Sequence, residues 1–199
     1  MDSIFYGLVL ILLDVKINGV SLIPNFIGYY LVYRGLGHLA NESRHFAELK
    51  PWCVGMGIYT ALTFAASLFH VRWGSAATVL TLVSTVVFLY IHYRLIQGVQ
   101  DLQVTHPAAS LEVSLLQRRF RNFLVIVVAV HLFPLFTKNG LVIGVLTLGS
   151  MVVYILFLMT FHRSRQAYYA ALRAQTAESE GHAEYSEPVI PTEPESPTE

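Results

Sequence analysis

Four polar side chains interrupt apolar stretches of this chain, and their types could do chemistry inside a membrane: Asp14, Asn18, Asn25 and His131. A carboxylate buried in lipid marks a proton or cation path, and an imidazole titrates near neutral pH and can contact a proton or a ligand. Structural explanations compete with these. Asp14 could end a helix at the surface beside Lys16, and His131 could bond a nearby Thr or the carbonyl that Pro134 leaves free.

The composition sets the class of protein in which such residues would act. Hydrophobic residues make up 54% of the 199 residues, charged residues 13%, and the mean hydropathy is +0.53. A soluble domain of this length needs a more charged surface, so a membrane protein is predicted. The net charge of zero hides a split, because residues 1–177 hold all 13 Lys and Arg with six acids, whereas residues 178–199 hold seven Glu and no base.

Apolar runs predict the elements that position these side chains. Four runs, at about 52–69, 75–93, 122–136 and 141–161, predict membrane spans. Two shorter runs flank Asn18-Gly19; the first has 11 residues and reaches about 16 Å, half of a hydrocarbon core. They form either one bent span or, as we favour, a tilted or re-entrant hairpin. The predicted fold is all-α: a polytopic helical bundle with four spans and an N-terminal short-helix hairpin, hence three helical hairpins at about 3–37, 51–93 and 121–161.

The distribution of basic residues predicts the orientation. Segments rich and poor in Lys and Arg alternate strictly between the membrane runs, which is the positive-inside pattern. It predicts a multi-pass protein of the cell membrane with both termini in the cytoplasm. Residues 1–177 would form the integral domain, and the Pro- and Glu-rich segment 178–199 a disordered acidic tail.

Other patterns predict partners. A basic cluster would lie at the lipid surface, where each cation attracts anionic headgroups by about 1 kcal/mol: Arg118, Arg119 and Arg121. Two small-residue faces could pack against other membrane proteins or a second copy: Gly57/Ala61/Ala65 and Gly140/Gly144. Nucleic-acid binding is not expected, because it needs a larger basic surface with exposed aromatic residues.

Neither a metal nor a cofactor is predicted. No two of the eight histidines lie three to five residues apart, and the single cysteine, Cys53, excludes paired-cysteine metal motifs. His92 and His162 fall at the same end of different spans and could face one another, but two ligands do not make a metal site.

The opening region resembles an uncharacterised family of small multi-span membrane proteins from low-GC Gram-positive bacteria. The matching residues are Asn18-Gly19, Leu22-Ile-Pro-Asn-Phe-Ile-Gly-Tyr-Tyr-Leu31, Gly35-Leu36, Leu39-Ala40, Glu42-Ser43 and Phe46. The resemblance covers about the first 50 residues and implies a fold and a location, but no activity. Members often have Asp after the proline, where this chain has Asn25, which argues against an essential carboxylate there.

These observations favour a non-enzymatic scaffold or regulatory partner in the membrane. The alternative is a small transporter or channel with its site at the broken N-terminal helices, since discontinuous helices often build carrier sites. Convergence of Asp14, Asn18, Asn25 and His131 on a wet cavity would favour the alternative. An enzyme ranks third, because HExxH, GxSxG, GxGxxG and P-loop motifs are missing from the sequence; it would need a polar rim built from His92, Arg94, His162 and Arg163.

Overall fold

The structure is a computed structural model that describes residues 1–13, 16–17, 20–21, 24–69, 71, 74, 76–107, 109–136 and 140–184; of residues 16–17, 20–21, 133–136 and 178–184 only the backbone is described. Six helices make up this part of the chain: α1 (Asp2–Leu12), α2 (Asn25–Leu39), α3 (Arg44–Leu68), α4 (Ala76–Thr105), α5 (Val113–Phe136) and α6 (Gly140–Glu184). Between α1 and α2, the two-residue strands β1 (Lys16–Ile17) and β2 (Val20–Ser21) pair antiparallel, with Lys16 opposite Ser21. The predicted all-α class is confirmed.

Three of the described helices are long and apolar enough to cross a bilayer: Arg44–Leu68, Ala76–Thr105 and Gly140–Ala177. Helix α1 is apolar but short. The fourth predicted span falls in α5, and it stays a prediction, as does the manner in which α1 and α2 enter the membrane. Helix α6 continues to Glu184, and residues 185–199 of the predicted tail lie outside the described residues.

Local chemistry explains where α2 and α3 begin. Pro24 is the extended N-cap of α2, a position at which its missing N–H costs little. Ser43 caps α3, because its hydroxyl oxygen accepts a hydrogen bond from the His45 backbone N–H at 3.1 Å. The sequence predicted a span at about 52–69, and the helix that contains it, α3, already starts at Arg44 and runs through Pro51 without a break. The cap and the Arg44–Glu48 pair stabilise the turns before the proline.

The helices form a ring in chain order, with each helix packed on the next and α6 packed on α1. The buried core is gathered at one end of this ring, which we call the packed end, and includes Ile4, Leu36, Phe46, Leu95, Leu102 and Phe161. The opposite end, which we call the open end, holds the last turns of α3 and the first turns of α4 and α6. Among the described residues of 57–86, only Ala66 is buried. The bundle is therefore closed at one end and loosely packed at the other.

Candidate functional site: a hydroxyl-lined cavity

A cavity of about 490 Å³ lies between α2, α3 and α4 toward the open end, and we call it the hydroxyl cavity. Six Ser and Thr side chains line it: Thr60, Thr63 and Ser67 from α3, and Thr81, Ser84 and Thr85 from α4. Their spacing of three and four residues places each set on one helix face. Tyr29, Met56 and Phe88 line the cavity toward the packed end, and Val71 and Ala77 line it at the open end. Its described lining contains no charged side chain.

The hydroxyl groups donate to the backbone of their own helices. Thr60 donates to the Met56 carbonyl at 2.8 Å and Ser67 to the Phe64 carbonyl at 2.7 Å. Thr81 donates to the Ala77 carbonyl at 2.8 Å. Thr85 donates to the Thr81 carbonyl and in addition contacts His131 of α5. Since each hydroxyl proton is used locally, the oxygen lone pairs remain available as acceptors toward the cavity.

Asn25 is the predicted site residue that lines this cavity directly. It is the first residue of α2, immediately after Pro24. Its Oδ1 atom is buried and has no hydrogen-bond partner among the described residues. A buried amide oxygen without a partner costs free energy, so it favours a bound group that can donate a hydrogen bond.

His131 reaches the cavity wall through Thr85. Its Nε2 lies 3.2 Å from the Thr85 hydroxyl oxygen, and its Nδ1 lies 2.9 Å from the Val127 carbonyl oxygen. A bond to a nearby Thr is one of the alternatives that the sequence left open for His131, and this contact joins α5 to the cavity wall on α4. Asp14 and Asn18, the other two predicted site residues, lie outside the described residues.

An apolar groove lies beside the cavity, between α3 and α4. It measures about 570 Å³ and is lined by Pro51, Trp52, Gly55, Met56 and Tyr59 of α3 and by Leu80, Val83, Ser84 and Val87 of α4. We call it the α3–α4 groove. Four of its residues, Met56, Tyr59, Leu80 and Ser84, also line the hydroxyl cavity. The polar cavity and the apolar groove are therefore neighbours across one shared wall.

Charged groups concentrate at the packed end, away from the cavity. Arg94 of α4 forms an ion pair with Glu48 of α3 and also donates to His45 Nδ1 at 2.8 Å. Glu48 lies before the apolar stretch of α3, and its pKa is lowered mainly by the hydrogen bond from Arg44. Beyond the apolar stretch of α6, burial and a hydrogen bond to Glu42 raise the pKa of the Tyr168 hydroxyl. These contacts tie α3 to α4, and α6 to the turn between α2 and α3, at the packed end.

His92 occupies the bundle core and does not face His162. The Phe88 carbonyl lies 2.8 Å from its Nδ1, and the Tyr154 hydroxyl lies 2.9 Å from its Nε2. A carbonyl only accepts, so Nδ1 carries the proton and Nε2 accepts from Tyr154. His162 instead contacts Gln166 and the Phe5 ring, and Arg94 is paired with Glu48. The polar rim that an enzyme would need is not assembled from these residues.

The predicted interaction residues divide between the inside and outside of the bundle. Arg118 and Arg121 are exposed, whereas Arg119 is half-buried and donates to the Leu156 carbonyl at 3.0 Å. Gly57 faces Tyr29 of α2 within the chain. Gly140 and Gly144 border open space, so that face is unused by the described part of the chain.

Comparisons with protein-family models, curated proteins and solved structures gave no match. The resemblance of the first 50 residues to a Gram-positive membrane family therefore stays a prediction. The hydroxyls of α3 were not predicted as site residues, although the sequence carries the signal: Thr60, Thr63 and Ser67 recur at helical spacing, as do Thr81, Ser84 and Thr85 in α4.

Proposed function

We propose that the protein is an integral membrane protein that binds a small uncharged solute in the hydroxyl cavity, in the manner of a carrier or channel. The observation that carries the proposal is the cavity itself, in which six Ser and Thr side chains and the unpartnered Asn25 amide oxygen surround a volume of about 490 Å³. Polar side chains at membrane depth are costly and commonly face a wet cavity or a substrate path. Asn25 also lies where the predicted broken N-terminal helices would place a carrier site.

The topology proposed for this function follows the distribution of basic residues. Helices α3, α4, α5 and α6 provide the four spans of a multi-pass cell-membrane protein, and the short helices α1 and α2 form the N-terminal hairpin. The packed end, which carries most of the Lys and Arg, faces the cytoplasm together with both termini. The hydroxyl cavity then opens toward the outside, and the core around Phe46 and Leu95 blocks its path inward. This arrangement corresponds to an outward-open state.

A scaffold or regulatory partner is the second candidate, favoured by the open space beside Gly140 and Gly144 on α6. Glycines on an exposed helix face let another helix approach closely. Such a role needs no water in the cavity. The two functions therefore differ in whether the Thr-lined surface of α3 and α4 is wet.

Cysteine labelling tests this difference. We would replace Thr60, Ser67 or Thr85 by Cys, one at a time, in a Cys53→Ala background, and apply a membrane-impermeant thiol reagent to the outside of intact cells. The matched control is Thr147→Cys, because Thr147 is exposed on α6 and donates to its own helix as the cavity threonines do. Thr147 and Thr60 both lie about 10 Å from the open end by helical rise.

We expect all three cavity positions to react faster than position 147, with position 67, nearest the open end, fastest. Equal protection of positions 60, 85 and 147 would mean that the cavity holds no water, and the carrier proposal would fail in favour of the scaffold. Val71→Cys, at the exposed end of the cavity, verifies that the reagent reaches the outer surface.

A further inference from the structure

We infer that the ligand of this site is an uncharged amphipathic molecule with a hydroxyl-bearing head and a single hydrocarbon chain, such as a monoacylglycerol. The head would occupy the hydroxyl cavity and the chain the α3–α4 groove. This inference rests on the proposed function and specifies its substrate class. It depends on the juxtaposition of a polar and an apolar space across one shared wall.

The shared wall places the two spaces side by side, within reach of one molecule. Met56 and Tyr59 of α3, with Leu80 and Ser84 of α4, line both spaces. The cavity extends from this wall toward Ser67 and Val71, whereas the groove extends toward Trp52 and Val87. On α3 the polar space therefore lies nearer the open end and the apolar space nearer the packed end, whereas on α4 the two spaces lie at the same depth. A molecule that fills both has a polar part and an apolar part.

The chemistry of the cavity selects the head group. Its described lining has no charged side chain, so a cationic or anionic head would be buried without a counter-charge, which is strongly unfavourable. The hydroxyl oxygens and Asn25 Oδ1 are acceptors that need donors. The phenol groups of Tyr29 and Tyr59, which also line the cavity, can donate in return. A head with several alcohol groups both donates and accepts without carrying charge.

The groove suits a hydrocarbon chain. Among its described lining residues, the polar side-chain groups are the Ser84 hydroxyl, the Tyr59 phenol and the Trp52 indole, and the other side chains are apolar. From Leu80 to Val87 it follows about 10 Å of helix, enough for a chain of medium length. Because lipid is as apolar as the groove, the chain gains little by leaving the bilayer. Selectivity must then come from the head in the hydroxyl cavity.

Trp52 provides a native probe, since it lines the groove and is one of only two tryptophans. We would reconstitute a Trp73→Phe variant in phosphatidylcholine nanodiscs and add monoacylglycerol with a brominated chain, which quenches tryptophan fluorescence on contact. Brominated phosphatidylcholine at the same bromine content reports ordinary contact with the bilayer. We expect saturable quenching by the monoacylglycerol, beyond that given by the phospholipid.

Two pairs of variants separate chain from head. Gly55→Leu would fill the groove, because a side chain at Gly55 meets no atom within 4 Å, and Gly144→Leu is its control in equally open space on α6. Thr60→Val with Thr63→Val removes two acceptors from the cavity, and Thr147→Val is the control. We expect Gly55→Leu to abolish saturable quenching, the double valine variant to weaken affinity about tenfold, and both controls to bind normally.

Three results would overturn the inference. Quenching by monoacylglycerol no stronger than by phospholipid, with positions 60 and 85 still reactive to the aqueous thiol reagent, would leave the proposed function standing with a water-soluble ligand. If Gly55→Leu abolishes the saturable quenching but the double valine variant leaves it unchanged, the chain binds in the groove without the head in the cavity. Absence of both saturable quenching and thiol reactivity would reject the proposed function as well.

Discussion

Gly7 of α1 and Gly28 of α2 meet where the two helices cross, so closely that neither position has room for a side chain. A Cβ atom on Gly7 would lie 2.6 Å from the Gly28 carbonyl oxygen, and one on Gly28 would lie 2.8 Å from the Gly7 carbonyl oxygen. Gly35 packs against Ile4 in the same way. The two short helices thus run antiparallel in backbone contact, which holds Asn25 beside the cavity.

This contact predicts that Gly28→Ala destabilises the protein. In a helix, alanine is favoured over glycine by about 1 kcal/mol, but backbone atoms cannot move aside as a flexible side chain can. We expect a net loss of about 1–3 kcal/mol in the free energy of unfolding, measured by denaturant titration in detergent. The control on the same helix is Gly37→Ala, which meets no atom within 4 Å and should be neutral or stabilising. Equal changes in stability for Gly28→Ala and Gly37→Ala would contradict the close crossing of α1 and α2.

The hydrogen bond between His92 and Tyr154 joins α4 to α6 in the buried core. Replacing either partner by Phe leaves a buried polar atom of the other unpaired, so each single variant should lose about 1–3 kcal/mol of stability. The double variant should lose less than the sum, because no polar atom of the pair is left behind. Thermal unfolding of the four proteins in detergent measures this coupling. The control is Tyr93→Phe, at an exposed position of α4, which should change the stability little. If the stability losses of the His92 and Tyr154 variants were strictly additive, the bond would be absent.

Particular residues show how far the sequence could predict this arrangement. Local chemistry can be read from residue types and spacing: Pro24 lies directly before α2, and Arg44 and Glu48, four residues apart on α3, pair at 2.7 Å. Contacts between helices cannot be read in this way, because they depend on how far each helix is shifted along its axis relative to its neighbours. His92 faces Tyr154, and His162 lies eight residues further along α6, about 12 Å away by helical rise. The hydroxyl spacing on α3 and α4 was present in the sequence, but only the packing shows that both faces border one cavity.

The Glu48 carboxylate makes the packed end sensitive to acid. Its pKa in the folded protein lies below the ordinary value of 4.5, chiefly because Arg44 hydrogen bonds to it. A lowered folded pKa means that the contribution to stability is fully present above pH 4.5 and is lost as the pH falls through the lowered value. We expect the stability difference between the native protein and Glu48→Gln to be constant from pH 7 to about pH 5 and to shrink in more acid solution.

Unfolding midpoints measured across that pH range for both proteins provide the test. Asp101→Asn is the control, because Asp101 is another carboxylate of the packed end, on α4 beside His45. A difference that grows as the pH falls would have the wrong sign and would reject the stabilising role of the Glu48 pairs.

The contact between His131 and Thr85 links the wall of the hydroxyl cavity to α5, and its hydrogen bonds compete. Nδ1 faces the Val127 carbonyl and must carry a proton, so in a neutral ring Nε2 is an acceptor. The single Thr85 proton is then shared between Nε2 at 3.2 Å and the Thr81 carbonyl at 2.8 Å. We expect the ¹⁵N NMR spectrum of the protein labelled at histidine to show the Nδ1–H tautomer at His131. The His131 resonances are assigned by their disappearance in the His131→Gln variant. Thr85→Val should shift the Nε2 resonance and leave Nδ1 nearly unchanged, whereas Thr85→Ser should preserve both. An Nε2–H tautomer would contradict this account, because the ring would then donate to Thr85 and the Thr85 proton would stay with the Thr81 carbonyl.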